Sequence, residues 1–302
     1  MVAWEVISML YQRPVVVGVD GSEAALAALD WAVREAVDRD RRLRIIHAFI
    51  WPLFNHVSLG PLPSGPPSSG LRAAAQGIIN EAVRRAATTA PGLVVEAMIH
   101  SGAAGPVLLA EAENAHLMVV GSRGLGGFTG LLLGSVSSQL AAHSPCSVII
   151  TRSPHADHGR PAGDRVVVGV EDPQTSAGTV EFALTEADRL SLPVTMISCV
   201  PPEPALYGVP LDDQTVLDAQ RQLLTTTVEE WQRKFLEVEI SDELVRDTPG
   251  HALVTASKSA RLVVVGAGEA GRFRGLHLGS VSQQVLHHAS SPVAIVRQDR
   301  HR

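Results

Sequence analysis

The sequence predicts an α/β protein built from two tandem, open, doubly wound parallel five-stranded sheets with helices on both faces. Three observations carry that expectation: the length, an internal repeat of half the chain, and the alternation of short apolar runs with helical patterns inside each copy. At 302 residues the chain is about two domains long, at roughly 150 residues per domain. Hydrophobic residues make up 45% and charged residues 19%, a composition that buries a core. Aromatics are only 4%, so that core is made of small aliphatic side chains.

The repeat is explicit. Gly121–Leu140 reads GSRGLGGFTGLLLGSVSSQL and Gly266–Val285 reads GAGEAGRFRGLHLGSVSQQV, with 11 of 20 positions identical and no gap. Upstream, Val15-Val16-Val17-Gly18-Val19-Asp20 is echoed by Val166-Val167-Val168-Gly169-Val170-Glu171. A period this long is a domain duplication and not a solenoid, whose repeats run to about 20–50 residues. Arg152–Asp164, with its prolines and glycines and no aliphatic side chain larger than alanine, reads as a linker. The domains are therefore 1–151 and 165–302, joined by 152–164.

Within the first copy, Val15–Asp20 reads as a strand and Ser22 as the N-cap of a helix whose apolar face is Leu26, Leu29, Val33, Ala36 and Val37. Leu43–Ala48 is the second strand, Leu71–Ala90 a helix, and Leu93–Ile99 the third strand. Gly105–Asn114 is a helix, Leu117–Gly121 a strand, Ser135–His143 a helix and Ser147–Thr151 the last strand. The second copy follows the same plan from Arg165 to Val296. Parallel strands need crossover helices, and this order supplies one at every step.

Charge and composition exclude several function classes. With 25 Lys+Arg against 31 Asp+Glu the net charge is −6, unlike the basic face of a nucleic-acid binder. No apolar run reaches the length of a membrane span. Met1–Arg13 lacks the basic start and cleavage site of a signal peptide, so a cytoplasmic location is expected. The two cysteines, Cys146 and Cys199, are far apart and read as reduced, buried thiols. Lys234 and Lys258 are the sole lysines, and neither follows a glycine, which excludes a Walker A loop.

Ligands of open α/β sheets bind beyond the carboxyl ends of the strands, where strand order reverses. Asp20 ends the first strand and Gly121 the fourth, so the two face one crevice if these strands are neighbours. Gly121, Gly124, Gly126, Gly127 and Gly130 leave room for a ligand against the backbone. Gly134-Ser135 then opens a helix whose free N–H groups and positive dipole end suit a phosphate, with the Ser135 and Ser137 hydroxyls as further donors. Arg123 supplies a cation. Trp51–Gly70 and Pro201–Asp212, after the second strand of each copy, read either as a lid over the crevice or as solvated connections; Ser64–Gly70 reads as the latter, and ligand contact is expected at Ala48 and just after it.

Gly121-x2-Gly124-x9-Gly134-Ser135, with the strand-Gly-Val-Asp-Gly-Ser opening and the Ser-Pro-Cys-Ser-Val-Ile-Ile ending, resembles the universal stress protein family in its ATP-binding branch. The resemblance covers both copies, so the chain looks like a tandem member. It implies strand order 3-2-1-4-5, ATP as cofactor with Asp20 at the nucleoside end, and ribose and phosphates held by Gly121, Gly124, Gly134 and Ser135. It also implies an intrachain pseudo-dimer through the last strands, within a homodimer. Ligand contacts are thus expected at Asp20, Gly21, Ala48, Gly121, Arg123, Gly124, Gly134, Ser135, Val136 and Ser137, and in the second copy at Gly266, Gly279, Ser280, Val281 and Ser282.

The second copy departs from the pattern. Glu269 stands at the position of Gly124, Glu171 at that of Asp20, Asp172-Pro173 at that of Gly-Ser, and Gly268 at that of Arg123. Two readings follow: a nucleotide loop on an altered path, with Arg272 or Arg274 answering the added carboxylate, or a degenerate copy kept for packing. The literal G-x-G-x-x-G at Gly266–Gly271 follows the fourth strand and not the first, which argues against a dinucleotide fingerprint. His143 and His288 fall at helix ends, where capping suits them better than a metal. No nucleophile–base constellation appears, so a nucleotide-dependent stress sensor is expected, with a slow Mg²⁺-dependent ATPase or a scaffold with incidental nucleotide as alternatives.

Overall fold

Valine-rich runs buried on both faces set the architecture. A computed structural model describes residues 12–50, 68–125, 133–152, 163–200, 205–206, 209–210, 213–268 and 278–297. The chain divides into two compact units, 1–140 with 144–146, and 141–143 with 147–302. Among the described residues no helix is long and apolar enough to cross a membrane.

The first unit holds β1 (Val15–Gly18), α1 (Glu23–Asp38), β2 (Leu43–Phe49), α2 (Ser68–Thr89), β3 (Val95–Ser101), α3 (Ala104–Ala112), β4 (Leu117–Gly121) and the start of α4 (Ser135–His143). Its strands run parallel in the order β3-β2-β1-β4. β1 pairs with β4 through Val15↔Leu117, Val16↔Met118 and Val17↔Val119, and with β2 through Val15↔Leu43 to Gly18↔Ile46. Val15, Val16 and Val17 are fully buried, which requires helices over both faces of the sheet.

The second unit holds β5 (Ser147–Thr151), β6 (Arg165–Gly169), α5 (Ala177–Leu190), β7 (Val194–Val200), the short pair β8 (Ala205–Leu206) and β9 (Val209–Pro210), α6 (Asp213–Gln232), β10 (Ile240–Arg246), α7 (Pro249–Ala256), β11 (Ala260–Gly266), α8 (Ser280–His288) and β12 (Val293–Val296). Here the parallel order β10-β7-β6-β11-β12 is the full 3-2-1-4-5 arrangement. β5, which the repeat counts with the first copy, groups with this unit because it runs antiparallel to β12, with Ile150 opposite Val293 and Val148 opposite Ile295.

Strand and helix positions follow the sequence reading closely, with α4, β4 and β5 at the expected bounds. The buried face of α1 differs. Val37 is 50% exposed, and the sheet is met by Ala25, Ala28, Leu29, Ala32, Val33 and Ala36. Leu29, Val33 and Ala36 of the expected face are buried, and Ala25, Ala28 and Ala32 complete the buried side. The expected linker lies almost wholly outside the described residues, as do residues 1–11 and the connection 51–67.

His143 and His288 stand in the last turns of α4 and α8 as expected, and arginines donate to carbonyls there. Arg297 donates to the carbonyls of Ala141 and Ala142 at 2.6 and 2.7 Å, at the end of α4. Arg152 donates to the carbonyl of Leu286 at 2.7 Å, near the end of α8. A guanidinium offers several donors to carbonyls that the helix itself leaves unsatisfied.

A buried carboxylate recurs in both copies. Glu35 on α1 and Glu186 on α5 are fully buried. Glu35 accepts from the Trp31 indole N–H at 2.7 Å and from Arg39 Nε at 3.0 Å, while Glu186 pairs with Arg189. Removing the cation from such a pair leaves a charge in the core, at a cost of about 3 kcal/mol. Arg39→Ala is expected to shift the first urea-unfolding transition accordingly, read by far-UV circular dichroism.

Both cysteines are free. Burial pushes the Cys199 thiol up to about 11, helped by the nearby Asp247 and Glu243 carboxylates. Against an ordinary thiol, its thiolate fraction at pH 8 falls by about 100-fold. Iodoacetamide labelling of Cys199 at pH 8, followed by peptide mass spectrometry, is expected to be slower by at least that factor in the folded chain than in urea.

Candidate functional site

Because β1 lies between β2 and β4, the chain leaves β1 and β4 in opposite directions along the sheet, and their carboxyl ends open a crevice. A cavity of about 470 Å³ lies there in the first unit. It is lined by Asp20, Ala48, Gly121, Arg123, Gly124, Gly134, Ser135, Val136 and Ser137 from the expected set. Gly21 is not in the lining. Its φ of +87° makes the turn from β1 into α1, a conformation that glycine adopts without strain. Ser22 then caps α1, accepting from the Ala25 N–H at 3.2 Å.

The rest of the lining is apolar: Gly18, Val19, Ala25, Ile46, Ala104, Leu108, Val120 and Leu133. Small and aliphatic side chains such as these look alike in sequence whether they face a helix or a ligand. The start of α3, which supplies Ala104 and Leu108, carried no signal of its own.

Two anchors shape the glycine segment. The Gly134 N–H donates to the Ser122 carbonyl at 2.7 Å, closing the base of the loop. Ser137 donates its hydroxyl to the Gly121 carbonyl at 2.7 Å, tying α4 to the end of β4. Ser137 is 3% exposed, so this hydroxyl proton is committed to the scaffold, unlike the free donor expected from the sequence. Ser135, in contrast, is exposed at the first turn of α4.

α4 begins at Gly134, which has no side chain to cap it. Its first-turn amides carry the partial positive charge of a helix N-terminus, and among the described residues no side chain caps them. Arg123 lines the cavity and makes no ion pair among the described residues. The ionisable side chains in the lining are Asp20 and Arg123, one of each sign.

Asp20 is already engaged. Its Oδ1 accepts from the Ser22 N–H at 2.9 Å and its Oδ2 from the Leu125 N–H at 2.8 Å. A Cβ added at Gly124 would lie 2.2 Å from Asp20 Oδ2, so the second glycine of the pattern is required by this approach.

In the second copy the loop base is repeated. Gly279 N–H donates to the Ala267 carbonyl at 3.1 Å, and Ser282 donates to the Gly266 carbonyl at 2.6 Å. Ser280 and Val281 open α8 after an uncapped Gly279. The surroundings differ. Asp172 Oδ1 accepts from the N–H groups of Gln174 and Thr175, each at 3.0 Å, and α5 starts only at Ala177, about one turn later than α1. Gly268, at the position of Arg123, has φ +88°, so the two loops follow different paths. Glu269, Gly271, Arg272 and Arg274 lie outside the described residues, as do Gly126, Gly127 and Gly130.

The two serines of α4 separate by measurement. Ser137→Ala is expected to destabilise the fold by about 1–2 kcal/mol, because the part-buried Gly121 carbonyl loses its donor. Ser135→Ala, at an exposed position, is expected to leave the urea midpoint unchanged.

The family model described as Universal stress protein family matches residues 12–152 and again 163–297. Universal stress protein Rv2623 of Mycobacterium tuberculosis (strain ATCC 25618 / H37Rv) is 32% identical over 287 residues, covering 94% of this chain and 96% of that protein. Universal stress protein Mb2019 of Mycobacterium bovis is 31% identical over 305 residues, covering 94% of each. A crystal structure of a universal stress protein from Archaeoglobus fulgidus DSM 4304 shares the fold, with a TM-score of 0.67 at 17% identity, covering 96% of this chain and 100% of that one. With the family pattern matched over both halves and its relatives spanning the same length, the chain belongs to the universal stress protein family.

Proposed function

We propose that the first copy binds ATP and that the protein acts as a nucleotide-dependent stress sensor, one nucleotide per chain. The observation that carries this reading is the pairing, in one cavity, of an aliphatic slot with an uncapped helix N-terminus and a single arginine. Val19, Ile46, Leu108 and Val120 suit a flat, weakly polar base. The α4 amides, Ser135 and Arg123 suit phosphates, whose negative charge the helix dipole favours. Asp20 suits ribose hydroxyls, because a carboxylate beside the phosphates would repel them.

The donor set fits ATP with its Mg²⁺. The lining offers no second carboxylate to take the ion from the phosphates, so Mg²⁺ would be held by phosphate oxygens and water. When bound, it neutralises part of the triphosphate charge. The protein's own residues bind and orient: Ser137 and Gly134 hold the loop base, and the aliphatic wall excludes water from the base. Among the lining residues no side chain is placed as a nucleophile with an adjacent base, which favours retention of the nucleotide over rapid turnover.

The second copy is proposed to leave this role. The left-handed Gly268, the late start of α5 and the carboxylate at sequence position 269 each depart from the arrangement around Asp20.

Isothermal titration of the purified full chain with ATP is expected to give one site, and mass spectrometry of the heat-denatured protein to recover an adenine nucleotide. Gly124→Glu is expected to abolish binding while preserving the far-UV circular dichroism spectrum. An absence of adenine-nucleotide binding by the wild-type chain, or two equal sites, overturns the reading.

A further inference from the structure

We infer that the outer strand β3 is a self-complementary edge, through which two molecules of this chain pair antiparallel about a two-fold axis at Met98. β3 ends the strand order of the first unit, with β2 as its neighbour. Leu43 N–H donates to the Val94 carbonyl and Gly102 N–H to the Phe49 carbonyl, each at 2.9 Å. In a parallel ladder alternate residues address the same neighbour, so the backbone groups of Glu96, Met98 and His100 also face β2. Those of Val95, Ala97, Ile99 and Ser101 face away from the sheet.

The side chains along this edge do not repel a second strand. Met98 is 40% exposed and Val94 38%, and Ala97 is exposed between them. The carboxylate of the strand, Glu96, is answered within the unit. Its Oε2 accepts from Arg44 Nε at 2.9 Å, and Arg42 Nε lies 3.4 Å from its Oε1. β10, the outer strand of the second unit, instead carries the exposed neighbours Asp242 and Glu243. Exposed charges of that kind protect a sheet edge from pairing.

The residue types select the register. Centred on Met98, an antiparallel pairing sets Met98 against Met98 of the partner subunit and Ala97 against the partner's Ile99. Glu96 then faces the partner's His100, and His100 the partner's Glu96, so each imidazole has a carboxylate to donate to. The outward backbone groups of Val95, Ala97, Ile99 and Ser101 fall at the hydrogen-bonded positions. Glu96, Met98 and His100 fall at the others, where opposing Cα atoms approach to about 4.5 Å. His100 Nε2 lies 3.3 Å from Glu111 Oε1 on α3, and its side chain is 37% exposed, so part of the ring is open to a partner. Centring on Ala97 or Ile99 keeps the bond pattern but sets Met98 against Glu96 or His100, an apolar side chain against a polar one. The contact is isologous and closes as a dimer.

Sedimentation equilibrium of the full chain tests the pairing. A single-strand edge predicts a monomer–dimer equilibrium with a dissociation constant on the order of 10 µM. Met98→Lys and Met98→Glu each put like charges face to face, and each is expected to weaken the dimer by at least about tenfold. An equimolar mixture sets the introduced lysine against the introduced glutamate, and its affinity is expected to return to within about threefold of wild type. Recovery in the mixture also shows that both variants are folded. Ala97→Pro removes an outward N–H that β2 does not use, so it is expected to weaken the dimer about tenfold and to preserve the far-UV circular dichroism spectrum. A wild-type chain that stays monomeric at about 200 µM overturns the proposal. So does a dimer that neither charge at position 98 weakens, as pairing through β10 or a helix face would give. A mixture of folded variants that stays dissociated overturns the two-fold at Met98.

Discussion

The parallel pairing of β1 with β4 is the constraint on which the rest depends. Placing β1 between β2 and β4 makes the chain turn outward on either side of one seam, so the loops that follow β1 and β4 diverge and leave a crevice. The pairing is held by Val15, Val16, Val17, Leu117, Met118 and Val119, all of them 1% exposed or less. Polar groups at the carboxyl ends of these strands are thereby fixed against a rigid base, and a shift of register would separate Asp20 from Gly124.

Hydrogen bonding divides the helix termini into two kinds. The start of α1 is closed by Ser22, and the end of α4 by Arg297. The start of α4 has no side-chain cap and opens on the cavity. This uncapped start places an anion-favouring field where Arg123 adds a full charge. Around it, serine hydroxyls are spent on scaffold carbonyls, which holds the amides in place without competing for their acceptors.

Duplication preserved the scaffold and released the site. The loop base recurs in both copies, through Ser137 on Gly121 and Ser282 on Gly266, and so does the buried glutamate of the first helix. These contacts stabilise the fold of each copy whether or not a ligand binds. What changed is the turn after the first strand. Gly21, at φ +87°, gives way to Asp172, for which that conformation is strained; the aspartate instead caps a local turn and the helix starts late.

The sequence by itself determined the element order, the duplication and the glycine spacing, because periodicity, turn residues and repeated motifs are local properties of the chain. Asp20, Arg123 and the Gly134–Ser137 run were legible for the same reason, as special residues at strand and helix ends. Only the tertiary structure decided that Ala25, Ala28 and Ala32 join Leu29 and Val33 on the buried side of α1, that arginines donate to carbonyls at the ends of α4 and α8, and that Ala104 and Leu108 join the cavity wall. It also decided that the Ser137 proton goes to Gly121 and that Asp20 reaches Leu125. Each of these depends on which segments meet across the sheet, and distance through space is not written in the spacing along the chain.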